Sequence, residues 1–199
     1  LEKYSSNTAI ITDSSDQISY KSLSEAALQI GKHIEKRDLV FLVGNNCFES
    51  VAGYIGFFQA QAVQVLIHEK IDNILFENLL KTFKPRYIFI PAKKSGLAIN
   101  CNTIYSFGNY KLLNTDYEID YTVHDDLALL LSTSGSTGSQ KFVRQSYNNI
   151  NSNAEAIAQY LEISSADRPI TTMPMSYTYA LSIINSHLLK GASIILTNA

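Results

Sequence analysis

Hydroxyl residues, glycines and one lysine form the stretch of this sequence that is best suited to chemistry. Three leucines at 129–131 lead into Ser132, and Lys141 closes the stretch. Serine and threonine hydroxyls donate hydrogen bonds, glycines let backbone N–H groups approach a ligand closely, and successive N–H groups form an anion-binding nest. A lysine adds a point charge suited to phosphate. The pattern therefore predicts a polyphosphate site made by Thr133, Ser134, Gly135, Ser136, Thr137, Gly138 and Lys141.

Two familiar catalytic loops do not fit this stretch. A Walker A loop requires G-x-x-x-x-G-K-[ST], but Gly135 and Gly138 are too close together and Lys141 lies beyond both. The G-x-S-x-G nucleophile elbow is also absent. A flexible surface linker has the same composition, so composition alone leaves that alternative open. The apolar run before the stretch and the strand-like residues 141–144 after it favour the phosphate loop.

The elements that must position this loop alternate along the chain. Short apolar runs predict strands, and apolar residues at helical spacing predict helices between them. This alternation predicts an α/β fold, with a mostly parallel sheet flanked by helices. Ligands bind beyond the carboxyl ends of such strands, which is where the loop begins. The predicted strands are 38–43, 62–67, 87–90, 127–131, 169–172 and 194–196, and the predicted helices are 23–34, one through Phe58, 71–82, 147–161 and 181–189.

Local signals refine these elements. Residues 7–20 resemble a small hairpin, and Pro85 should stop the third helix. The residues Ser22 to Glu25 match a capping box, and Asn46 with Glu49 offers a second helix cap. The polar segment 100–126 is predicted to hold short edge strands and loops and to mark a possible lobe boundary.

Composition excludes several classes of function. The chain has 199 residues, is 46% hydrophobic and carries a formal net charge of -2, so no excess of positive charge points to nucleic acid or an anionic membrane. The cysteines are far apart and the histidines are scattered, which argues against a disulfide framework and a histidine metal site. The apolar region 51–67 is too polar and too short for a comfortable bilayer span. We expect a cytoplasmic protein with no membrane span, no metal site and no nucleic-acid partner.

The loop carries a resemblance to a known family. The residues TSGSTG at 133–138, followed by Lys141, resemble the signature T-S-G-[ST]-T-G-x-P-K-G of the adenylate-forming enzymes. These are the acyl-CoA synthetases, the adenylation domains of peptide synthetases and the luciferases. Further segments resemble the family in order at 18–23, 38–46, 59–63 and 173–181. The resemblance implies that residues 1–199 are the N-terminal part of an AMP-binding (adenylation) domain, and that the chain is a piece of a longer protein.

The resemblance also implies a reaction. Such enzymes activate a carboxylic acid with ATP and Mg²⁺ to an acyl-adenylate, and a thiol of coenzyme A or of a carrier protein's phosphopantetheine then usually accepts the acyl group. The loop would hold the β- and γ-phosphates with help from Lys141. The family's later motifs would lie beyond Ala199, so the isolated fragment is expected to be inactive. Because the segment 173–181 borders the acyl pocket in acyl-activating members, Tyr177 and Tyr179 are acyl-pocket candidates, with ordinary packing as the alternative.

Departures from the family pattern keep other functions open. Gln140 replaces a proline, and Phe142 replaces a glycine and would be strained if its φ were positive. One alternative is a degenerate, non-catalytic relative that binds a nucleotide or a partner protein; another is a phosphate-binding α/β domain of unrelated chemistry. Arg144 could reach phosphate, although a surface strand position is favoured. Cys47 could be a stabilised thiolate at a helix start, although a buried, inert thiol is favoured.

Overall fold

A computed structural model describes residues 1–98, 101–132 and 141–198 of the chain. Its strands belong to two sheets, and five α-helices connect them. The strands are β1 (Thr8–Ile11), β2 (Gln17–Ser19), β3 (Leu39–Gly44), β4 (Val63–His68), β5 (Tyr87–Pro91), β6 (Asn102–Phe107), β7 (Tyr110–Asn114), β8 (Leu127–Ser132), β9 (Phe142–Ser146), β10 (Ile170–Thr171) and β11 (Ile194–Leu196). The helices are α1 (Tyr20–Gly31), α2 (Phe48–Gln59), α3 (Asn73–Phe83), α4 (Tyr147–Tyr160) and α5 (Thr178–Lys190).

The larger sheet has seven strands in the order β6-β7-β5-β3-β4-β8-β9. Its four central strands, β5, β3, β4 and β8, run parallel, whereas β7 and β9 are antiparallel to their neighbours. Parallel strands covered on both faces are continuously apolar, and all six residues of β3 are accordingly buried. The carboxyl ends of the four parallel strands, at Gly44, His68, Pro91 and Ser132, therefore share one edge of the sheet.

Helices cover both faces of this sheet. Leu42, Leu66 and Leu129 belong to one buried cluster, which includes residues of α1, α2, α4 and α5. Phe41 and Val65 belong to the other cluster, with Phe76, Leu79 and Leu80 of α3. Successive strand residues point to opposite faces, which explains why neighbours in β3 and β4 belong to different clusters. The predicted fold class is confirmed.

The smaller sheet joins the two ends of the described chain in the order β10-β11-β1-β2. The strand β1 pairs with β2 as the predicted hairpin and runs parallel to β11, with Ile10 opposite Ile194. The buried Tyr20 hydroxyl donates a hydrogen bond of 2.7 Å to the carbonyl of Ala192. Burial also raises the pKa of Tyr20 far above its usual range, so this donor keeps its proton.

The helices α1 and α2 approach each other through glycine. A Cβ placed on Gly31 would lie 2.7 Å from the carbonyl oxygen of Gly56, a distance that real side chains do not tolerate. Any larger residue at Gly31 would have to separate the helices. This contact binds α1, which follows the small sheet, to α2, which covers the large one.

Several predicted element boundaries were wrong. The cap of α1 is Ser19, whose side chain accepts from the Ser22 N–H, because the helix begins directly after β2. The cap of α2 is Cys47 without a side-chain bond, so the predicted cap at Asn46 and Glu49 is not formed. The helix α5 begins at Thr178 rather than at Leu181. The exposed Thr178 and Tyr179 add nothing to the buried apolar pattern, which starts at Ala180. The strand β10 has only two residues.

The polar segment after β5 forms the hairpin of β6 and β7, as predicted for edge strands. The strand β6 lies at one edge of the seven-stranded sheet, and β7 pairs antiparallel with β5. The lobe boundary near 100–126 stays a prediction. In the described part of the chain, no helix has both the length and the hydropathy of a membrane span.

Candidate functional site

The predicted phosphate loop begins and ends at the carboxyl edge of the parallel strands. Ser132, the last residue of β8, pairs with Phe142, the first residue of β9. The predicted site residues Thr133, Ser134, Gly135, Ser136, Thr137 and Gly138 lie outside the described residues, as does Gln140. Lys141 is described and exposed, directly before β9. Phe142 is an ordinary strand residue and has no positive φ, so the strain considered for it does not occur.

A cavity of about 570 Å³ opens beside the two ends of the loop. We call it the loop-side cavity. Its apolar walls come from β4, α3 and β8, and its polar residues include His68, Lys70, Ser132, Ser176, Tyr177 and Thr178. Tyr177 is half exposed and lines this cavity, whereas Tyr179 is 65% exposed and is not among its lining residues. Their acyl-pocket role stays a prediction.

His68 is a site residue that the sequence analysis missed. It is the last residue of β4 and lines the loop-side cavity. Its Nδ1 accepts a hydrogen bond of 3.2 Å from the Lys70 N–H, so a neutral ring carries its proton on Nε2. Burial lowers the pKa of His68, Glu69 opposes that shift, and Lys70 and Lys94 reinforce it. A histidine that ends a buried strand, in which Gln64 is the other polar side chain, was the available signal.

The lowered pKa of His68 makes stability depend on pH. The folded chain binds this proton less tightly than the unfolded chain, whose histidine titrates near 6.5, so the stabilisation is complete above that pH and is lost as pH falls below it. We expect the urea concentration at the unfolding midpoint to decrease when the pH is lowered from about 7.5 to about 5.5. The decrease should be smaller in His68→Gln. Burial also lowers the pKa of His33, which contributes the same pH dependence to both proteins. If the urea midpoint falls by the same amount in both, His68 contributes nothing and the prediction is wrong.

Asn46 holds the end of β3 against the small sheet. Its side chain is buried, and its Nδ2 donates to the carbonyls of Thr171, Met173 and Thr197 at 3.0, 2.9 and 3.0 Å. Its Oδ1 accepts from the Met175 N–H at 3.1 Å. An amide nitrogen has two hydrogens, so at least one is shared between carbonyls. We call these contacts the Asn46 clamp; they fix the segment that leads into Ser176 and Tyr177.

The backbone of Asn46 adds to the clamp. Its N–H donates to Asn198 Oδ1 at 3.0 Å, and Asn198 Nδ2 donates to the Asn46 carbonyl at 3.2 Å. The clamp thus joins β10, β11 and the segment before α5 to the carboxyl edge of the large sheet. Sequence spacing gave no sign of it, because the residues joined are more than a hundred positions apart.

A second cavity, of about 620 Å³, lies between α4 and α5 over β8. We call it the interhelical cavity. Leu131 and Thr178 line both this cavity and the loop-side cavity, so the two are neighbours. Its polar lining includes Gln145, Asn149, Asn153, Ser182 and Asn185.

Other sequence candidates lie away from these cavities. Arg144 is an exposed β9 residue paired with Leu130, as favoured, and lines a third cavity of about 700 Å³. This cavity shares Gln145 and Asn149 with the interhelical cavity. Cys47 Sγ lies 3.3 Å from Ser50 Oγ, and burial raises the pKa of its thiol, which is the inert alternative. Within residues 1–98, 101–132 and 141–198, no group of three His, Cys, Asp or Glu side chains could hold a metal ion.

Comparison with known proteins decides the family. The family model described as "AMP-binding enzyme" matches residues 1–199. The chain belongs to the AMP-binding enzyme family. A curated relative, the 2-succinylbenzoate–CoA ligase of Bacillus velezensis (strain DSM 23117 / BGSC 10A6 / LMG 26770 / FZB42), is 33% identical over 76 residues, which are 38% of this chain and 16% of the relative.

Solved structures share the fold of this AMP-binding chain. Apo MatB from Rhodopseudomonas palustris superposes with a TM-score of 0.80 at 20% identity, over 99% of this chain and 43% of MatB. The N-terminal domain of FACL13 from Mycobacterium tuberculosis gives 0.77 at 17% identity, over 98% of this chain and 55% of that one. VinN in complex with 3-methylaspartate superposes with a TM-score of 0.73 at 19% identity, over 95% of this chain and 56% of VinN. The AMP-binding chain thus spans about half the length of these structures.

Proposed function

We propose that the protein carrying this AMP-binding chain is an ATP-dependent acid–thiol ligase. One observation carries the proposal: a TSGSTG stretch followed by Lys141 joins β8 to β9 at the carboxyl edge of a parallel sheet, in a chain of the AMP-binding family. Ligands of open α/β sheets bind at this edge. The loop-side cavity lies there and is large enough for part of a nucleotide or acid.

The proposed reaction has two steps. In the first, a carboxylate oxygen of the acid attacks the α-phosphorus of ATP, the bond from that phosphorus to the bridging oxygen breaks, and pyrophosphate leaves. In the second, a thiolate attacks the acyl carbonyl carbon, and AMP leaves with the electrons of the acyl–oxygen bond. Negative charge gathers on pyrophosphate in the first step, so fixed donors and cations near it lower the barrier.

The residues of the chain have separate roles in this proposal. Thr133, Ser134, Gly135, Ser136, Thr137 and Gly138 would donate hydrogen bonds to the β- and γ-phosphates. Lys141 would place its charge against the same phosphates. His68, neutral because of its lowered pKa, would add a polar group without adding charge. ATP would bring Mg²⁺ with it, and the described residues offer no cluster of carboxylates to which the proposal could assign that ion.

The proposed acceptor is a thiol, and the proposed substrate is a carboxylic acid. The Bacillus relative is a 2-succinylbenzoate–CoA ligase, which supports coenzyme A as the acceptor, with the thiol of a carrier protein as the alternative. The acid is a small carboxylic acid, since the relative is named for 2-succinylbenzoate and VinN is complexed with 3-methylaspartate. A cytoplasmic location, where ATP and reduced thiols are available, fits both steps.

ATP–pyrophosphate exchange tests the proposal. Labelled pyrophosphate should enter ATP only when the intact gene product receives a suitable carboxylic acid from a panel. The isolated 199-residue chain should show no exchange. If the intact protein folds and binds ATP but exchanges with no acid, the non-catalytic nucleotide-binding alternative replaces the ligase.

A further inference from the structure

The ring of His68 lies beside the point where the loop starts. The strand β4 pairs in parallel with β8, with Leu66 opposite Leu131. His68 follows Leu66 by two residues, so it lies beyond the level of Ser132, the last residue of β8. Neighbouring strands are about 4.8 Å apart, which puts His68 within one strand spacing of the line of β8. Both His68 and Ser132 accordingly line the loop-side cavity.

The neutral ring of His68 presents one N–H. Its Nδ1 accepts the hydrogen bond from the Lys70 N–H at 3.2 Å, so the ring hydrogen is on Nε2. Within the described part of the chain, no residue accepts a hydrogen bond from Nε2. This N–H is therefore available to a ligand in the loop-side cavity, and the bond to Lys70 holds the ring in one orientation.

The surroundings of His68 keep the ring neutral near pH 7. Burial lowers its pKa, Lys70 and Lys94 lower it further, and Glu69 acts in the opposite direction. The described lining residues from α3, β8 and β9 are apolar or carry hydroxyls, and Tyr177 is the titratable group that faces the cavity from the segment before α5. Lys70 also lines the cavity, but it is exposed, so water screens its charge. His68 thus offers a fixed donor without a charge.

A neutral donor suits the nucleophile of the proposed reaction. In the first step, negative charge leaves the carboxylate and gathers on pyrophosphate. A cation paired tightly with the carboxylate would stabilise the bound acid more than the transition state, which lowers kcat. A neutral N–H can orient the carboxylate with less of this penalty. The cation Lys141 is assigned to the phosphates, where the charge increases.

We propose that His68 is a catalytic residue of the first step, and that its Nε2–H donates a hydrogen bond to the carboxylate oxygen of the acid that does not attack phosphorus. The other oxygen is then directed toward the α-phosphorus of ATP. The ring keeps its proton throughout, so it acts as a donor and not as a general base. This inference rests on the proposed ligase function.

The test is ATP–pyrophosphate exchange by the intact gene product, with an acid that the native protein activates. His68→Leu removes the donor and should lower kcat/KM for the acid about 10–30-fold, with less than about a 2-fold change in the KM for ATP. His68→Gln places an amide N–H near the position of Nε2 and should keep at least about a third of the native kcat/KM. If urea unfolding shows that His68→Leu does not fold, His68→Ala replaces it, with the same expected loss.

His124 provides a matched control. Its Nδ1 accepts from the Asp126 N–H at 3.2 Å, the same bond to the second following residue that His68 makes with Lys70. It precedes β8, at the opposite end of that strand from the loop. His124→Leu should therefore exchange at the native rate.

The outcomes separate this inference from the ligase proposal. Native kcat/KM for the acid in the folded apolar variant overturns the inference and leaves the ligase standing. Equal losses in His68→Leu and His68→Gln also overturn it, because a donor at Nε2 would then not matter. A loss confined to the KM for ATP would assign His68 to the phosphates instead. No exchange by the native protein with any acid overturns the ligase itself, and the inference with it.

Discussion

Lys141→Ala should lower acid-dependent ATP–pyrophosphate exchange by the intact protein about 10–100-fold. Lys141 is exposed directly before β9 and directly after the loop, and in the proposal its ammonium group binds phosphate oxygens. A hydrogen bond to a charged group contributes about 1.5–3 kcal/mol, and this one would strengthen as charge moves onto pyrophosphate. The substitution should therefore lower kcat and also raise the KM for ATP.

The companion variants distinguish phosphate binding from a general change of charge. Lys141→Arg keeps the charge but changes its geometry, and should retain more exchange than the alanine variant. Lys21→Ala removes a highly exposed lysine of α1, whose ion pair with Glu25 is long, at 4.0 Å. It should exchange at the native rate. Equal exchange in Lys141→Ala and the native protein would mean that Lys141 does not act on the phosphates.

The sequence could predict the large sheet because its signals are local. The strand β3 is a continuous buried apolar run. The helix α3 ends at Phe83 with its C-cap at Lys84, just before Pro85, as expected for a proline that cannot continue a helix. The residues that flank the loop, Ser132 and Phe142, could be placed at the sheet edge for the same reason. The loop's glycines and hydroxyls follow a strand whose pattern is evident over a few residues.

Long-range contacts could not be predicted in this way. Asn46 has the composition of a helix cap beside Glu49, but its hydrogen bonds go to segments that follow it by more than a hundred positions. Glu49 Oε1 instead accepts from the Asn109 N–H, in the hairpin of β6 and β7. The interhelical cavity was equally hidden, since no local signal shows that α4 packs beside α5 over β8. Tertiary contacts, rather than propensity, decide these roles.

Asn46→Ala should destabilise the packing of the small sheet against the large one by about 3–5 kcal/mol. The substitution removes the donor shared by the carbonyls of Thr171, Met173 and Thr197 and the acceptor of the Met175 N–H. Buried polar groups left without partners each cost about 1–3 kcal/mol, and partial entry of water keeps the sum below the maximum. Amide hydrogen exchange should accelerate in residues 170–175 and 194–198, with little change in α3.

Asn46→Asp separates hydrogen bonding from shape. It keeps the size and the acceptor of asparagine but aims a second oxygen at three carbonyls, so near pH 7 it should destabilise at least as much as alanine. Protonation would restore one donor, so the aspartate variant alone should recover part of its protection as pH falls. Asn148→Ala, at an exposed position of α4, should stay within about 0.5 kcal/mol of the native protein. Native exchange rates in Asn46→Ala would show that the clamp is incidental. Accelerated exchange would make it the contact that holds the segment before Tyr177 at the site.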